Sequence, residues 1–146
     1  MVKEAGPEEL ESQGDRLILY DESVRDNFGK GYIYSVEARN EQASSGYDRT
    51  GLAIYRLKAP EFTSVKVSGD SVELTWNIVE VQGYEVQYSS DNGNTWRKAG
   101  QTDQNRISLT LEKGKKYVFR VRCQKTNTDR GTTWSSYSSW RSATIQ

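Results

Sequence analysis

The sequence predicts an all-β chain whose strands pack as a two-sheet sandwich, and three observations predict it. Apolar and polar residues alternate over several short runs, the period-two signature of strands with one buried face. Several of these runs begin ~8–12 residues apart, as in a sandwich of short strands. The chain also repeats itself: GKGYIYSVEAR at 29–39 returns as GKKYVFRVRCQ at 114–124, an offset of 85 with Gly, Lys, Tyr and Val in common. That period is too long for the usual solenoid repeats and suits a small sandwich unit used in series.

Each element follows from its own residues. The head, residues 1–16, is polar and acidic, with at most a poor helical period over Pro7–Ser12. Leu17–Tyr20, Gly31–Ala38 and Gly51–Leu57 read as strands. Ala59–Pro60 opens an extended segment, since proline biases the residue before it away from helix, and a weak strand follows over Phe62–Val67. Val72, Leu74 and Trp76 alternate with Glu73, Thr75 and Asn77. Tyr84, Val86 and Tyr88 alternate with Glu85, Gln87 and Ser89. Ile107, Leu109 and Leu111 sit between polar neighbours, and Tyr117, Phe119, Val121 and Cys123 between Val118, Arg120 and Arg122. A last strand is expected near Ser139–Ile145.

The repeat is lopsided. Residues 59–146 suffice for a complete sandwich, expected with three strands facing four, whereas 17–58 supply only the closing strands of another. Downstream, Ser45–Gly46–Tyr47 before Leu52–Ala53–Ile54 parallels Ser135–Ser136–Tyr137 before Ala143–Thr144–Ile145, at an offset of roughly 90. Charge divides at the same join: residues 1–59 hold 8 Lys and Arg against 11 Asp and Glu, a net of −3, and residues 60–146 hold 12 against 9, a net of +3. The apolar faces of the first part (Leu17 and Leu19; Tyr32, Tyr34 and Val36; Leu52 and Ile54) have no opposing sheet in the chain. Such a three-stranded unit is marginal in water, and its open edges invite pairing. Two outcomes are expected to satisfy it: strand complementation by another chain or copy, or a neighbouring domain of a longer tandem array on which this half leans.

Residues 59–146 resemble a fibronectin type III domain, an immunoglobulin-like β-sandwich. The resemblance is carried by Ala59–Pro60, by Leu74–Thr75–Trp76, by the run Gly83–Tyr84–Glu85–Val86–Gln87–Tyr88, and by Leu111 six residues before Tyr117. That last spacing resembles the family's tyrosine corner, in which the hydroxyl ties back to the preceding connection. The resemblance implies that Trp76 lies between the sheets near Tyr84 or Val86 and Tyr117. Asp21–x–Ser23–Val24, Tyr32–x–Tyr34–x–Val36, Ser45–Gly46–Tyr47–Asp48 and Thr50–Gly51–Leu52 resemble the last three strands of the same kind of domain, in wording similar to tandem units of secreted Gram-positive proteins and phage tails.

Composition narrows the chemistry. Among 146 residues, Lys and Arg number 20 and Asp and Glu 20, so the formal net charge is zero and a nucleic-acid partner is not expected. Hydrophobic residues make up 34% and no run is long enough to span a membrane. The head carries no secretory signal pattern. With no histidine and one cysteine, His-based acid–base catalysis, His-ligated metals and an intrachain disulfide are excluded. No phosphate loop, metal cluster or nucleophile motif is present, so no catalytic residue, metal or cofactor is assigned. Cys123 falls on an apolar face and reads as a buried, inert thiol.

Three motifs remain. Ser89–Ser90–Asp91–Asn92–Gly93–Asn94–Thr95–Trp96 resembles an Asp-box hairpin, and the chain is too short for the sialidase propeller that would make it enzymatic. Its plainer reading is a tight turn in which Asn92–Gly93 adopt positive φ and Asp91 binds turn amides. Trp134–Ser135–Ser136–Tyr137–Ser138 resembles the Trp-Ser-x-Trp-Ser motif of cytokine receptors, whose aromatics stack with arginines of the next strand. Arg120 and Arg122 share one strand face and are the expected partners, at ~0.5–2 kcal/mol per stack. The missing disulfides weigh against a receptor, so a stabilising ladder is expected. Trp96, Trp134, Tyr137 and Trp140 form the candidate surface for a protein or sugar, while Trp76, Tyr84, Leu111, Tyr117, Arg120 and Arg122 are assigned structural roles. Glu73 and Glu85 are expected to face solvent.

The functional expectation is a non-catalytic interaction or spacer module of a larger extracellular or virion-surface assembly, on a bacterial surface or a phage. Its partners are proteins and, as a candidate, a cell-surface glycan. The alternative is an accessory, carbohydrate-binding module of a secreted glycoside or cell-wall hydrolase.

Overall fold

The computed structural model describes residues 3–146; of the polar head segment 1–16, residues 1 and 2 lie outside the described residues. Twelve strands run in chain order: β1 (Glu11–Gln13), β2 (Arg16–Ile18), β3 (Gly31–Tyr34), β4 (Leu52–Tyr55), β5 (Phe62–Ser68), β6 (Ser71–Trp76), β7 (Gly83–Ser89), β8 (Arg97–Thr102), β9 (Arg106–Thr110), β10 (Lys116–Asn127), β11 (Gly131–Trp134) and β12 (Arg141–Thr144). Two 3₁₀ turns, Pro7–Glu9 and Glu22–Val24, complete the list among the described residues.

From β5 onward the chain is an all-β sandwich of two open sheets. One sheet is ordered β5-β6-β9, and the other β11-β10-β7-β8 with β12 also on β10. Three strands thus face four strand positions, because β11 and β12 share one edge of the twelve-residue β10. The alternating residues meet in the middle. Val72, Leu74 and Trp76 from β6 pack with Tyr84 and Val86 from β7, and with Tyr117, Phe119, Val121 and Cys123 from β10, all buried. Phe62 and Tyr84 approach the Trp76 ring edge-on, with centroids at 6.1 and 5.4 Å. Tyr84 anchors the turn before its strand: its hydroxyl donates to the Val79 carbonyl and accepts from the Val79 amide.

Tyr117 shares the buried core with Trp76, and its own ring neighbours are Tyr88 and Phe119. Among the hydrogen bonds of the described residues, none ties its hydroxyl back to the Leu111 connection. Leu111 instead packs, half-buried, against the common core, so this corner is held by apolar contact.

The N-terminal part holds two hairpins. The end of the polar head, β1, pairs with β2, which overlaps the strand expected over Leu17–Tyr20, turning at Gly14 with φ +62. Its residues are nearly all exposed, so only local pairing sustains it. β3 and β4 pair antiparallel, with Tyr32 opposite Ile54 and Tyr34 opposite Leu52. The strand expected over Gly31–Ala38 ends at Tyr34; beyond it the Ser35 hydroxyl donates to the Asp48 carbonyl and the Ala38 amide to the Ser45 hydroxyl. β4 lies along β11, where the Ala53 amide donates to the Arg130 carbonyl and the Tyr55 amide to the Thr133 hydroxyl. Leu57 enters the sandwich core and Tyr55 packs against it.

Candidate functional site

The outer face of the larger sheet carries the one extended constellation of aromatic and charged side chains among the described residues, and its foundation is an interruption in a strand. Between β11 and β12, residues 135–140 leave the ladder. Two backbone amides of β10 on that edge then need acceptors, because a buried unpaired N–H is costly. Serine hydroxyls supply them: Cys123 N–H donates to Ser135 Oγ and Val121 N–H to Ser138 Oγ, each at 3.0 Å. In return the Ser135 and Ser138 amides donate to the carbonyls of Cys123 and Val121, at 2.9 and 2.8 Å. Both serines are buried.

With serines at 135 and 138 facing β10, a three-residue period puts Trp134, Tyr137 and Trp140 on the opposite side. β10 meanwhile presents Arg120 and Arg122 by its two-residue period. The two sets interleave. The Arg120 guanidinium lies between the rings of Trp96 and Tyr137, at 4.0 and 3.8 Å from their centroids. Arg122 lies between Trp134 and Tyr137, at 4.0 and 4.9 Å. Trp140 meets Trp96 edge-on at 5.2 Å. Trp140 is seated over Gly93, where a Cβ would fall 2.2 Å from its ring; the positive φ of Gly93 and this close approach both demand glycine.

Beneath the stack lies a polar layer contributed by β7. Glu85 is only 6% exposed, contrary to the expectation that it faces solvent. Its Oε1 accepts from Arg122 Nη2 at 2.9 Å and Nε at 3.2 Å, and from the Tyr137 hydroxyl at 3.3 Å. The aromatic rings overhead exclude water from a position that the strand alternation alone assigned to the wet face. Gln87 Oε1 accepts from Nε and Nη2 of Arg120 at 3.0 and 2.7 Å. Glu73, on the other sheet, is half-buried rather than solvated. Sequence reasoning placed Glu85 on the wet face and gave Gln87, Ser135 and Ser138 no role of their own. The available signal was register: Glu85 pairs across from Arg122 and Gln87 from Arg120.

Chemically, the constellation holds itself together. Burial raises the Tyr137 phenol, opposed by Arg122 and supported by Glu85. Burial likewise raises the Cys123 thiol, which keeps it protonated in the core. Trp140, 51% exposed, is the member most open to a ligand. At the β7–β8 turn, Asp91 accepts from the Ser89 hydroxyl and from the Thr95 hydroxyl and amide, which pull its carboxyl down to about 2. Asn92 and Gly93 take positive φ there, 59° and 87°. Among the described residues no three His, Cys, Asp or Glu side chains could jointly hold a metal, and no helix is long and apolar enough to cross a membrane.

The fibronectin type III domain model matches residues 58–140. No curated protein matches the chain. Among solved structures, a beta-1,2-glucanase from Parabacteroides distasonis is 24% identical with a TM-score of 0.50, over 60% of this chain and 12% of that one. The twitchin kinase region from C. elegans is 18% identical with a TM-score of 0.51, over 60% of this chain and 16% of that one. At these identities the likeness is one of fold, and the chain spans only a small part of either protein.

Proposed function

This chain belongs to the fibronectin type III family, whose domains are generally non-catalytic interaction or spacer modules, and from that premise we propose that it is such a module within a larger extracellular or virion-surface assembly, making protein–protein or cell-surface contacts. One observation carries the reading. The charged groups of its richest constellation, Arg120, Arg122 and Glu85, are bound to one another and to Tyr137 and Gln87 rather than aimed into a cleft. Acid–base catalysis requires a positioned group within reach of substrate and tuned to the working pH, and a carboxylate roofed by aromatic rings meets neither need. The test is turnover: the purified chain should give background rates on esterase, glycosidase and peptidoglycan substrates. Activity abolished by substituting a single carboxylate overturns the reading.

A second reading, an accessory carbohydrate-binding module of a secreted hydrolase, draws on Trp140, half open and braced by Trp96. It predicts that soluble cell-wall glycan quenches tryptophan fluorescence in the intact chain and not in Trp140→Ala.

A further inference from the structure

The two halves of the molecule share more than a sequence repeat. Gly29 N–H donates to the Arg56 carbonyl and Arg56 N–H to the Lys30 carbonyl; Gly114 N–H donates to the Ile145 carbonyl and Ile145 N–H to the Lys115 carbonyl. Gly29 and Gly114 both have positive φ, 82° and 77°. From there the pairing keeps step: Tyr32 opposite Ile54 and Tyr34 opposite Leu52 in β3–β4, Tyr117 opposite Ala143 and Phe119 opposite Arg141 in β10–β12. The ring pairs correspond too, with Tyr32–Tyr34 and Tyr117–Phe119 both at 6.5 Å and tilted. β3–β4 is therefore the β10–β12 pair built a second time, register for register.

One neighbour differs. The other edge of β10 is filled by β7, with Tyr88 opposite Phe119, Val86 opposite Val121 and Tyr84 opposite Cys123. The matching positions on β3 and its extension are Tyr34, Val36 and Ala38, and among the described residues no strand pairs with β3 there. β10 runs on as strand to Asn127, whereas β3 stops at Tyr34. Val121 is fully buried, whereas Val36 is 80% exposed.

We propose that the open edge of β3 is a strand-acceptor site for a β7-type segment of a partner polypeptide: extended, antiparallel to β3, with apolar residues at alternate positions to meet Tyr34, Val36 and Ala38. Docking extends β3 to Ala38. Main-chain hydrogen bonds supply the affinity and the alternating side chains the selectivity. A second copy of this chain is not the occupant, because its own β7 is paired on both edges, to β10 and β8. The proposal rests on the reading of the chain as an interaction module and names the kind of partner.

The test is hydrogen exchange on the full chain, alone and with a synthetic peptide of the sequence Val81–Ser90. Bound peptide is expected to slow amides over residues 31–38 by about tenfold or more, the mark of newly closed backbone bonds. Val36→Asp, at an exposed position, should abolish the slowing while β10 keeps its protection. Equal slowing by a scrambled peptide, slowing confined to β5 or β8, or no slowing at the peptide's solubility limit overturns the proposal. So does a chain that light scattering finds dimeric with residues 31–38 already protected, since the edge is then occupied by a second copy. Turnover is read in a separate assay, so peptide binding alongside turnover would refute the non-catalytic reading alone, and absence of both would refute only the acceptor site.

Discussion

The β3–β4 and β10–β12 pairs begin with the same glycine turn, the same pair of closing hydrogen bonds and the same register, yet end differently. In the C-terminal pair the first strand is twelve residues long and its inward residues are fully enclosed; in the N-terminal pair it is four residues long and followed by an exposed valine. The comparison teaches that local sequence sets where a strand starts and which residues face each other, while its neighbours decide how far it runs. Alternation in Tyr32–x–Tyr34–x–Val36 supplies the propensity. Without a β7 on one edge and a β6 across the face the strand stops at Tyr34, although the Ala38 amide is met by the Ser45 hydroxyl just as the Cys123 amide within β10 is met by Ser135.

The largest way to break the comparison is at Trp76. It is buried between Phe62 and Tyr84, and truncating such a ring costs ~3–5 kcal/mol, a large share of a small domain's stability. Trp76→Ala should collapse the denaturation midpoint of residues 60–146. Because Leu57 and Tyr55 pack into the same core, β3–β4 should lose its amide protection in the same transition. Independent survival of β3–β4 in exchange measurements would show that it does not lean on the complete unit.

Next comes the ladder, which the N-terminal pair lacks: at offset 85 the positions of Arg120 and Arg122 are Ser35 and Glu37. Arg122→Ala removes the closer of the two cations that face the enclosed Glu85, leaving Lys98 at 4.0 Å from Oε2. Since Arg122 remains a quarter exposed, a loss of about 2–3 kcal/mol is expected, below the figure for a fully buried pair. Arg122→Lys should recover only part of it, because an ammonium cannot both stack as a plane and donate twice to one carboxylate oxygen. Equal stability of the lysine variant and the parent would show that charge alone matters. Smaller again is Ser138→Ala, which removes the acceptor for Val121 N–H and should cost about 1–2 kcal/mol, read as a shift in urea midpoint and as faster exchange at Val121.

How much of this was legible follows from the same contrast. Alternation exposed Val72, Leu74 and Trp76 as an inward stripe, and the repeated Gly-Lys-x-Tyr run exposed the two related strands; both signals are local. Glu85 was misread because alternation marks a face without saying what lies above it, and the roof over Glu85 comes from residues about 50 positions later, at Trp134 and Tyr137. The strand in Val36–Ala38 was misread because the missing neighbour is a property of the fold, not of those residues. Trp134 and Tyr137 were legible as arginine partners by resemblance to a motif, but the buried hydroxyls of Ser135 and Ser138 that create their spacing become visible only when β10 needs acceptors.

The mildest probe compares the two aspartates that cap turns in the two regions. Asp91 accepts from Ser89 and Thr95, and its carboxyl is drawn down to about 2 from 3.8. Asp21 accepts from the Ser23 hydroxyl and amide and from the Tyr34 hydroxyl, and is lowered for the same kind of reason, the side-chain bond from Ser23 first. A carboxyl lowered on folding stabilises the native state above its unfolded pKa and loses that contribution as pH falls through its folded one. For Asp91 the window lies between about pH 4 and pH 2, and for Asp21 it begins at the same upper limit. Both groups are solvent-exposed, so the effects are small. Asp91→Asn should flatten the acid arm of the stability curve of residues 60–146 within that window and leave it unchanged at pH 7 apart from the lost cap. Asp21→Asn should free the Tyr34 hydroxyl and alter acid-dependent exchange only in residues 21–34. If Asp21→Asn instead moved the acid midpoint of the whole chain, the N-terminal hairpins would be bearing on the stability of the sandwich, and the division of labour drawn between them would be wrong.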